Sequence, residues 1–267
     1  MLLSRWLYYL TSLPTLLIGV KNWPRLAIAR ARGHMPRPFM VELRSGLRFQ
    51  ARTPMDVWII KESCLDRQYE RASVALEDGW TVIDIGAGLG DFTIHAAKDR
   101  PRSRVFAYEP FPESFALLQY NLMLNGVENV TAFSFAIGAG SSAIELRVVS
   151  GEAVQHTTVS NAALRESVRV PSLTLDRAFA DLQLECCDYL KVDCEGAEYD
   201  IFFNASNSTL KKIRHICLEY HDGVTPHTHD ELIQFFEGKG FRVRCVANPV
   251  HRQLGLMHAE NPTGWTG

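Results

Sequence analysis

Five residues with acid-base chemistry follow two apolar segments in the last third of the chain. Asp193, Glu195 and Glu198 come after the first segment, and Glu219 and His221 end the second. If the two segments are neighbouring parallel strands, their carboxyl ends meet at one edge of a sheet, where ligands usually bind. Carboxylates and an imidazole at that edge can align a hydroxyl group and remove its proton.

We predict that His221 is the general base, because the ordinary pKa of histidine lies close to neutral pH. Asp193 and Glu219 are predicted to hold the imidazole or the acceptor hydroxyl, and Glu195 and Glu198 to contact the substrate. Structural roles remain an alternative for all five residues. Mg²⁺ binding by Asp193 and Glu219 is also chemically reasonable. Because no spacing in the sequence demands a metal, none is predicted.

A second candidate site is the segment Asp84-Ile-Gly-Ala-Gly-Leu-Gly90, which follows a strand pattern and opens a helix. Its three glycines permit a tight turn and a close approach of the backbone to a ligand. A dinucleotide fingerprint has its third glycine one residue later, where this chain has Asp91. Because a carboxylate at that position repels a pyrophosphate, the turn favours a cofactor without phosphate, such as a cationic sulfonium compound.

Two carboxylates flank this turn. Asp84 lies inside the strand, where a charge is costly unless a ligand amino group or an ordered water satisfies it. Glu109 follows 25 residues later, at the end of the next strand pattern, where it can accept both hydroxyls of a ribose. A turn cap and a solvated strand end are the alternative roles. The predicted cofactor contacts are Asp84, Gly86, Ala87, Gly88, Gly90, Glu109, Pro110 and Asp193.

Strand and helix patterns alternate from residue 80 onward, which indicates βαβ units and a mostly parallel sheet. The predicted strands cover residues 81–85, 104–108, 130–137, 189–193, 216–220 and 241–246. Helices are expected after Asp91, which is predicted to act as a cap, near Pro112, and at a capping box that starts at Thr228. Earlier in the chain, residues 41–49 predict a hairpin and residues 57–76 a helical lid.

The alternation breaks at residues 138–170, which contain several glycines and a polar run. We interpret this part as an insertion over the active face. His156 lies in it and is predicted to contact the substrate.

Charge is distributed unevenly along the chain. Residues 1–52 carry nine basic residues and one acidic residue, a net charge of +8, whereas the remaining 19 basic and 29 acidic residues give −10. The basic part is therefore predicted to meet an anionic partner such as a membrane surface, and the acidic body is not expected to bind nucleic acid. An apolar run at residues 6–20 contains Pro14 and is shorter than the roughly 20 residues of a membrane span.

We interpret residues 1–35 as a peripheral, interfacial membrane contact, with a packed helix, a signal segment or a short span left open. The 267 residues, 46% of them hydrophobic, are enough for a full core. Six cysteines without a CxxC pair predict a reducing, cytoplasmic setting without disulfides or zinc. A basic appendage is expected over residues 1–53, and a catalytic domain over residues 54–267.

Taken together, these motifs resemble those of the FkbM-type family of class I S-adenosylmethionine-dependent methyltransferases. The resemblance covers roughly residues 54–247 and is most specific at Leu190-Lys-Val-Asp-Cys-Glu-Gly-Ala-Glu198; it also rests on residues 82–91, 107–110, 121–125 and 174–176. It implies an α/β, Rossmann-like, doubly wound sheet of seven strands, mostly parallel with an antiparallel last strand.

The resemblance also implies S-adenosyl-L-methionine as the cofactor. The implied reaction is O-methylation of a hydroxyl group on a small-molecule, sugar or lipid-linked acceptor, such as a sugar, a glycolipid or a secondary metabolite. N- or protein-directed methyl transfer on the same fold, and a noncatalytic cofactor-binding protein, remain alternatives.

Overall fold

The computed structural model describes residues 12–33, 37–140, 142–148, 156–157 and 166–263. Its helices are α1 (12–19), α2 (Trp23–Ala31), α3 (Pro54–Ile60), α4 (Gln68–Ala72), α5 (Asp91–Ala97), α6 (Pro112–Asn125), α7 (Leu175–Asp181), α8 (Glu198–Phe203), α9 (Asn207–Lys211) and α10 (His229–Gly238), with a π-helical segment (Lys61–Leu65) between α3 and α4.

The strands are β1 (Phe39–Glu42), β2 (Arg48–Ala51), β3 (Thr81–Ile85), β4 (Arg104–Tyr108), β5 (Val130–Phe133), β6 (Ala136–Ile137), β7 (Ala143–Val148), β8 (His156–Thr157), β9 (Glu166–Leu173), β10 (Cys187–Val192), β11 (Ile213–His221), β12 (Arg242–Ala247) and β13 (Leu254–Glu260).

Seven strands form the main sheet, in the order β12-β13-β11-β10-β3-β4-β5. Strands β11, β10, β3, β4 and β5 pair in parallel, and β13 pairs antiparallel with both of its neighbours. The predicted mixed sheet with an antiparallel last strand is therefore confirmed. Because β3 and β10 are neighbours, the glycine segment after β3 and the residues after β10 lie at the same edge.

The sheet is covered on both faces, as the doubly wound prediction requires. Alternate residues of a strand point to opposite faces, so Leu190 and Val192 of β10 pack in a core with α7, α8 and α10. Tyr189 points the other way, into a core with α4 and α5. By the same alternation Lys191 and Asp193 belong to the α4 face.

The predicted hairpin is confirmed as β1 and β2, joined by a turn at Ser45 and Gly46. It packs on α6, where Asn125 Oδ1 accepts a hydrogen bond from Arg48 N (2.9 Å) and Asn121 Oδ1 accepts one from Gln50 N (2.7 Å). The hairpin is thus fastened to the domain that follows it, and the predicted boundary at residue 53 stays a prediction.

One strand prediction was wrong, and one strand was not predicted. Residues 130–137 do not form one strand: β5 belongs to the main sheet, whereas β6 pairs with β9 in a separate four-stranded sheet of order β6-β9-β7-β8. The strand predicted at residues 241–246 is present as β12, but β13, which was not predicted, follows it and inserts between β12 and β11. Within the predicted insertion, the described residues of β7, β8 and the first part of β9 belong to the second sheet.

Candidate active site

The glycine turn, residues 86–90, connects β3 to α5. Gly86, Gly88 and Gly90 all have left-handed φ angles, of +76°, +55° and +91°, which residues with a Cβ adopt only at a cost. The amide groups of Gly86 and Ala87 both donate to the Tyr108 carbonyl at 3.0 Å, so the turn is held against the end of β4.

Free space differs sharply along the glycine turn. A Cβ built on Gly86 would lie 1.8 Å from the Asp193 carbonyl oxygen, and one on Gly90 would lie 2.6 Å from the Leu118 side chain. At Gly88, by contrast, nothing lies within 4 Å of such an atom. Gly86 therefore lets β3 and β10 approach each other, and Gly88 leaves its backbone open to a ligand.

Asp84 is completely buried beneath the glycine turn. Its Oδ2 accepts a hydrogen bond from Thr93 Oγ1 (2.5 Å), and its Oδ1 lies 3.0 Å from the ammonium of Lys191. Lys191 also donates to the Gly86 carbonyl at 2.7 Å. The partner predicted for this carboxylate is a ligand amino group or an ordered water; the structure supplies a lysine and a threonine, so Asp84 supports the turn from below.

Glu109 closes the other side of the turn. Its Oε2 accepts from Gly88 N (2.7 Å) and its Oε1 from Phe111 N (2.9 Å). Burial raises the pKa of Glu109 to about 7, although the two backbone hydrogen bonds and the charge of Lys191 act in the opposite direction. Pro110, the other predicted contact here, connects β4 to α6 and is half-buried.

Asp91 does not cap α5, and that prediction was wrong. The residue before the helix is Gly90, and no side chain caps it. Asp91 is the first helical residue, and its carboxylate accepts a short hydrogen bond from Ser63 of the π-helical segment. Burial raises the pKa of Asp91 to about 7. The carboxylate therefore joins the lid to α5.

Asp193, Glu219 and His221 form the Asp-Glu-His cluster. One ligand atom from each of the three side chains lies within 4.8 Å of the other two. Asp193 comes directly after β10, and the other two residues end the neighbouring strand β11. All three predicted catalytic residues are thus brought together, beside the glycine turn, by the pairing of two parallel strands.

His221 is buried and held from behind by Glu198. Glu198 Oε1 accepts from His221 N (2.9 Å) and lies 3.1 Å from Nδ1, while Oε2 accepts from Gly196 N (2.9 Å). Glu198 is itself completely buried. It lies behind the imidazole rather than on the open side, so its position supports orientation of His221 more directly than the predicted contact with substrate.

Glu195 lies on the open side of the imidazole. Its Oε2 is 3.5 Å from His221 Nε2, and its backbone has a left-handed φ of +53°, which is unfavourable for a non-glycine residue. Burial raises the pKa of Glu195 to about 7, against the effect of the His221 charge. Of the two glutamates predicted to contact substrate, Glu195 is the one that remains partly accessible.

Electrostatics within the Asp-Glu-His cluster do not match those predicted for a histidine base. Burial lowers the pKa of His221, but the hydrogen bond to Glu198 and the charges of Glu198, Glu195 and Asp193 raise it to about 10. A protonated imidazole has no lone pair with which to take a proton. Burial, together with the charge of Asp193, raises the pKa of Glu219.

Tyr69, which is not among the residues predicted from the sequence, reaches the cluster from α4. Its hydroxyl donates to Asp193 Oδ2 at 2.9 Å, and its ring packs edge-on against Phe92 of α5. The predicted lid is therefore in contact with the candidate site. The sequence around this tyrosine contains no motif that would predict a contact with a residue 124 positions away.

The pairing of Lys191 could have been predicted from the sequence. A lysine inside an apolar strand needs a partner, and Asp84 presents the same problem in another strand. The structure pairs the two residues directly across β10 and β3. Predicting that these strands are neighbours therefore provides the partner of each charge. His156, the remaining predicted contact, lies in β8, where its side chain is outside the described part of the structure.

Comparison with known proteins shows the family to which this chain belongs. The sequence profile of the family described as "Methyltransferase FkbM domain" matches residues 84–243, more than half of the chain. The chain belongs to this family. It is therefore an S-adenosylmethionine-dependent methyltransferase of the FkbM family, and the matched residues include both the glycine turn and the Asp-Glu-His cluster.

Several curated proteins resemble this FkbM-family methyltransferase. AMB antimetabolite synthetase AmbE of Pseudomonas aeruginosa is 29% identical over 70% of this chain, a match that spans only 10% of AmbE. The 31-O-demethyl-FK506 methyltransferase FkbM of Streptomyces tacrolimicus is 24% identical over 72% of this chain and 84% of its own length. Hexuronic acid methyltransferase AglP of Haloferax volcanii is 21% identical over 80% of this chain and 85% of its own.

A solved structure supports the fold assignment of the FkbM-family chain. A S-adenosylmethionine-dependent methyltransferase from Agrobacterium tumefaciens superposes with a TM-score of 0.50 at 9% identity, over 85% of this chain and 71% of that one. At this identity the likeness concerns the fold alone.

The residues around the glycine turn fit the cofactor of the family. Gly88 leaves backbone space open, and Glu109 places a carboxylate at the adjacent strand end. S-adenosylmethionine contains no phosphate group, so the site does not need a side chain that binds one. The sheet edge thus offers a cofactor cradle beside a cluster of groups suited to an acceptor.

Proposed function

We propose that this methyltransferase transfers its methyl group to a hydroxyl of a sugar, a glycolipid or a secondary metabolite. The observation that carries the proposal is the Asp-Glu-His cluster, whose donor atoms lie within 4.8 Å of one another beside the glycine turn. A hydroxyl acceptor needs groups that hold its oxygen and receive its proton, and two carboxylates with an imidazole provide them. The names of the FkbM and AglP relatives, which concern O-demethylated and hexuronic acid acceptors, support the same class.

S-adenosylmethionine, when bound, supplies an electrophilic methyl group on a sulfonium. We propose that Gly86, Ala87, Gly88, Gly90, Glu109 and Pro110 bind it, with Asp84 supporting the turn from below. Asp193 contacts both regions, because its carbonyl faces Gly86 and its carboxylate belongs to the cluster. The chain's contribution to the reaction is alignment of the acceptor in line with the methyl group and exclusion of water by the α3–α4 lid.

Within the cluster, we propose that Asp193 and Glu219 hold the acceptor hydroxyl and receive its proton. His221 fixes the acceptor oxygen through Nε2, since Nδ1 is engaged by Glu198. Glu195 contacts the substrate from the accessible side, and Glu198 acts as a positioning residue. This assignment revises the role of His221 as base, while it keeps all three residues in the site.

The test uses the full chain, labelled S-adenosylmethionine, and extracts fractionated into glycans, lipids, small molecules and proteins. We expect the labelled methyl group to appear in a fraction whose molecules carry hydroxyl groups. The product should be a methyl ether, which is stable to alkali. His221→Ala should lower turnover by about 10²- to 10³-fold at nearly unchanged cofactor affinity, because it removes the group that fixes the acceptor oxygen and lies away from the glycine turn. Exposed His251, in the loop before β13, provides the matched control. Label confined to amine or protein products would contradict the proposal.

We also propose that the amino-terminal region rests on an anionic membrane surface. No helix in the described part of the chain is long and apolar enough to span a membrane. Large apolar side chains are nevertheless exposed along α1 and α2, among them Leu13, Ile18 and Ile28, at 51%, 71% and 51%. Helix α2 buries none of its residues, and it carries exposed Arg25 and Arg30. Apolar and basic groups on one surface segment are the two signals that a peripheral anchor requires.

Vesicle sedimentation tests this contact with the full chain. Binding to phosphatidylserine-containing vesicles should fall with added salt and should be reduced at least several-fold by the combined change of Lys21, Arg25 and Arg30 to Glu. Neutral phosphatidylcholine vesicles are the control. Equal binding of the unchanged protein and the charge-reversed variant would refute the proposal.

A further inference from the structure

The Asp-Glu-His cluster has the chemistry of a metal centre as well as that of an acceptor site. Two carboxylates and one imidazole are common ligands of divalent cations in proteins. Ligands placed opposite each other on an octahedral ion stand about 4.2 Å apart, twice the bond length of about 2.1 Å. Ligand atoms within 4.8 Å of one another therefore need only small side-chain rotations to share one ion.

The orientation of His221 is an independent observation in favour of a ligand. Its side chain is 5% exposed, and its Nδ1 is engaged by the fully buried Glu198. Nε2, the ring nitrogen on the side of Glu195, makes no hydrogen bond to a described residue; the Glu195 oxygen lies 3.5 Å away. Metal-bound histidines typically donate one ring nitrogen to a carboxylate and offer the other to the ion. Only a neutral imidazole can bind a metal, so the cation would displace the proton that the neighbouring carboxylates favour on His221.

Charge balance points in the same direction. Asp193, Glu195 and Glu219 converge around a single imidazole, while Glu198 behind it adds a fourth carboxylate. Among the described residues, Asp193 receives a hydrogen bond from Tyr69, and the Glu219 side chain receives none. Lys191, a buried cation on β10, is engaged by Asp84 and the Gly86 carbonyl. Excess negative charge in a partly enclosed site is stabilised by a cation.

From this geometry we infer that Asp193, Glu219 and His221 bind one divalent cation of the Mg²⁺ or Mn²⁺ type. Three protein ligands on one side leave the remaining positions to water and to an oxygen of the acceptor. A cation there would draw electron density from a bound hydroxyl and make its proton easier to remove. The inference concerns the cation alone and does not require that the acceptor be a hydroxyl.

Metal binding is measured directly on the purified, EDTA-treated full chain, without cofactor or acceptor. Mn²⁺ is titrated and the free ion is followed by electron paramagnetic resonance, with Mg²⁺ competition as a second measurement. We expect one Mn²⁺ per chain. Asp193→Asn, Glu219→Gln and His221→Ala should each weaken binding at least tenfold, and thermal unfolding checks that each variant is folded.

Glu195→Gln is the matched control, because it removes one negative charge from the same site without removing a ligand. It should weaken Mn²⁺ binding less than threefold. The proposal is overturned if the unchanged chain binds no Mn²⁺ at millimolar concentration, or if Glu195→Gln weakens binding as much as the three ligand variants do. Failure of methyl transfer to hydroxyls would not affect this readout, so the two proposals fail separately.

Discussion

The glycine turn and the Asp-Glu-His cluster lie side by side at one edge of the sheet, but their polar groups are satisfied in different ways. Beneath the turn, Asp84 is paired with Lys191 and Thr93, and Glu109 receives two backbone hydrogen bonds. In the cluster, Glu198 holds His221 from behind and Tyr69 donates to Asp193, but among the described residues nothing donates to the Glu219 side chain.

This difference indicates how each region meets its ligand. The polar groups of the glycine turn are satisfied by the protein itself, so we expect its backbone to keep one shape before and after binding. The cluster, by contrast, is proposed to be completed by a bound cation. Removing a protein partner should therefore lower the free energy of unfolding strongly beneath the turn and only slightly in the cluster. Five substitutions, measured in four experiments, test this contrast, from the largest expected effect to the smallest.

Lys191→Met removes the cation beneath the turn. Asp84 is then left buried without its counter-charge, and we expect the free energy of unfolding to fall by about 3–5 kcal/mol. Urea unfolding at pH 7 measures the change. Adding Asp84→Asn to the same chain should recover part of the loss, because the uncompensated charge is gone. A loss below about 1 kcal/mol for Lys191→Met would show that Asp84 is not dependent on Lys191.

Gly86→Ala and Gly88→Ala compare two positions of the turn that share a left-handed backbone. Gly86→Ala adds an atom 1.8 Å from the Asp193 carbonyl, so we expect about 2–5 kcal/mol of destabilisation and loss of cofactor binding. Gly88→Ala meets open space and should cost only the backbone strain, about 1–2 kcal/mol. Unfolding and calorimetric cofactor titration distinguish them, and equal costs at both positions would refute the close approach of β3 and β10.

Glu109→Gln tests how the charge of Glu109 makes the stability of the protein depend on pH. Burial raises the pKa of Glu109 from 4.5 to about 7 in the folded chain, so the folded protein binds this proton more tightly than the unfolded chain does. Stability of the unchanged protein relative to Glu109→Gln should therefore fall as pH rises from 4.5 to 7, by about 1–3 kcal/mol, and stay constant above pH 7. A difference that is flat between pH 4.5 and 8 would contradict the raised pKa.

Tyr69→Phe removes a partner from the cluster and leaves the ring in place. Asp193 is half-buried, so water can replace the lost hydroxyl, and we expect a change of only about 0.5–1.5 kcal/mol in unfolding free energy. The same urea measurement as for Lys191→Met gives the contrast directly. A loss as large as that of Lys191→Met would mean that the cluster, too, depends on its protein partners.

The sequence predicts the glycine turn well because its requirements are local. Glycines at alternate positions after an apolar strand reveal a left-handed turn without any knowledge of the rest of the chain. The strand ends that carry Asp193 and His221 are likewise recognisable, and the parallel pairing brings them together. Glu198 shows the limit of this reasoning, since its burial behind His221 depends on how α8 packs.

Other features depended on distant packing and could not be read from local patterns. Ser63 and Tyr69 reach Asp91 and Asp193 from the lid, across 28 and 124 residues of sequence. Strand β13 was missed because Gly255 interrupts a short segment with little alternation. The Gly255 site faces the Tyr220 ring, whose hydroxyl would lie 2.3 Å from an added Cβ, so the glycine serves contact with β11 rather than a turn.

The insertion of β13 between β11 and β12 also constrains how the sheet is assembled. Strand β12 precedes β13 along the chain but hydrogen-bonds within the sheet only to β13, whereas β13 holds seven residue pairs with β11. During folding, β12 can therefore join the sheet only with β13 or after it, so assembly at this edge runs against the order of synthesis. In native-state hydrogen exchange, the amides of β12 should accordingly open no later than those of β13, because every opening that releases β13 from β11 carries β12 with it.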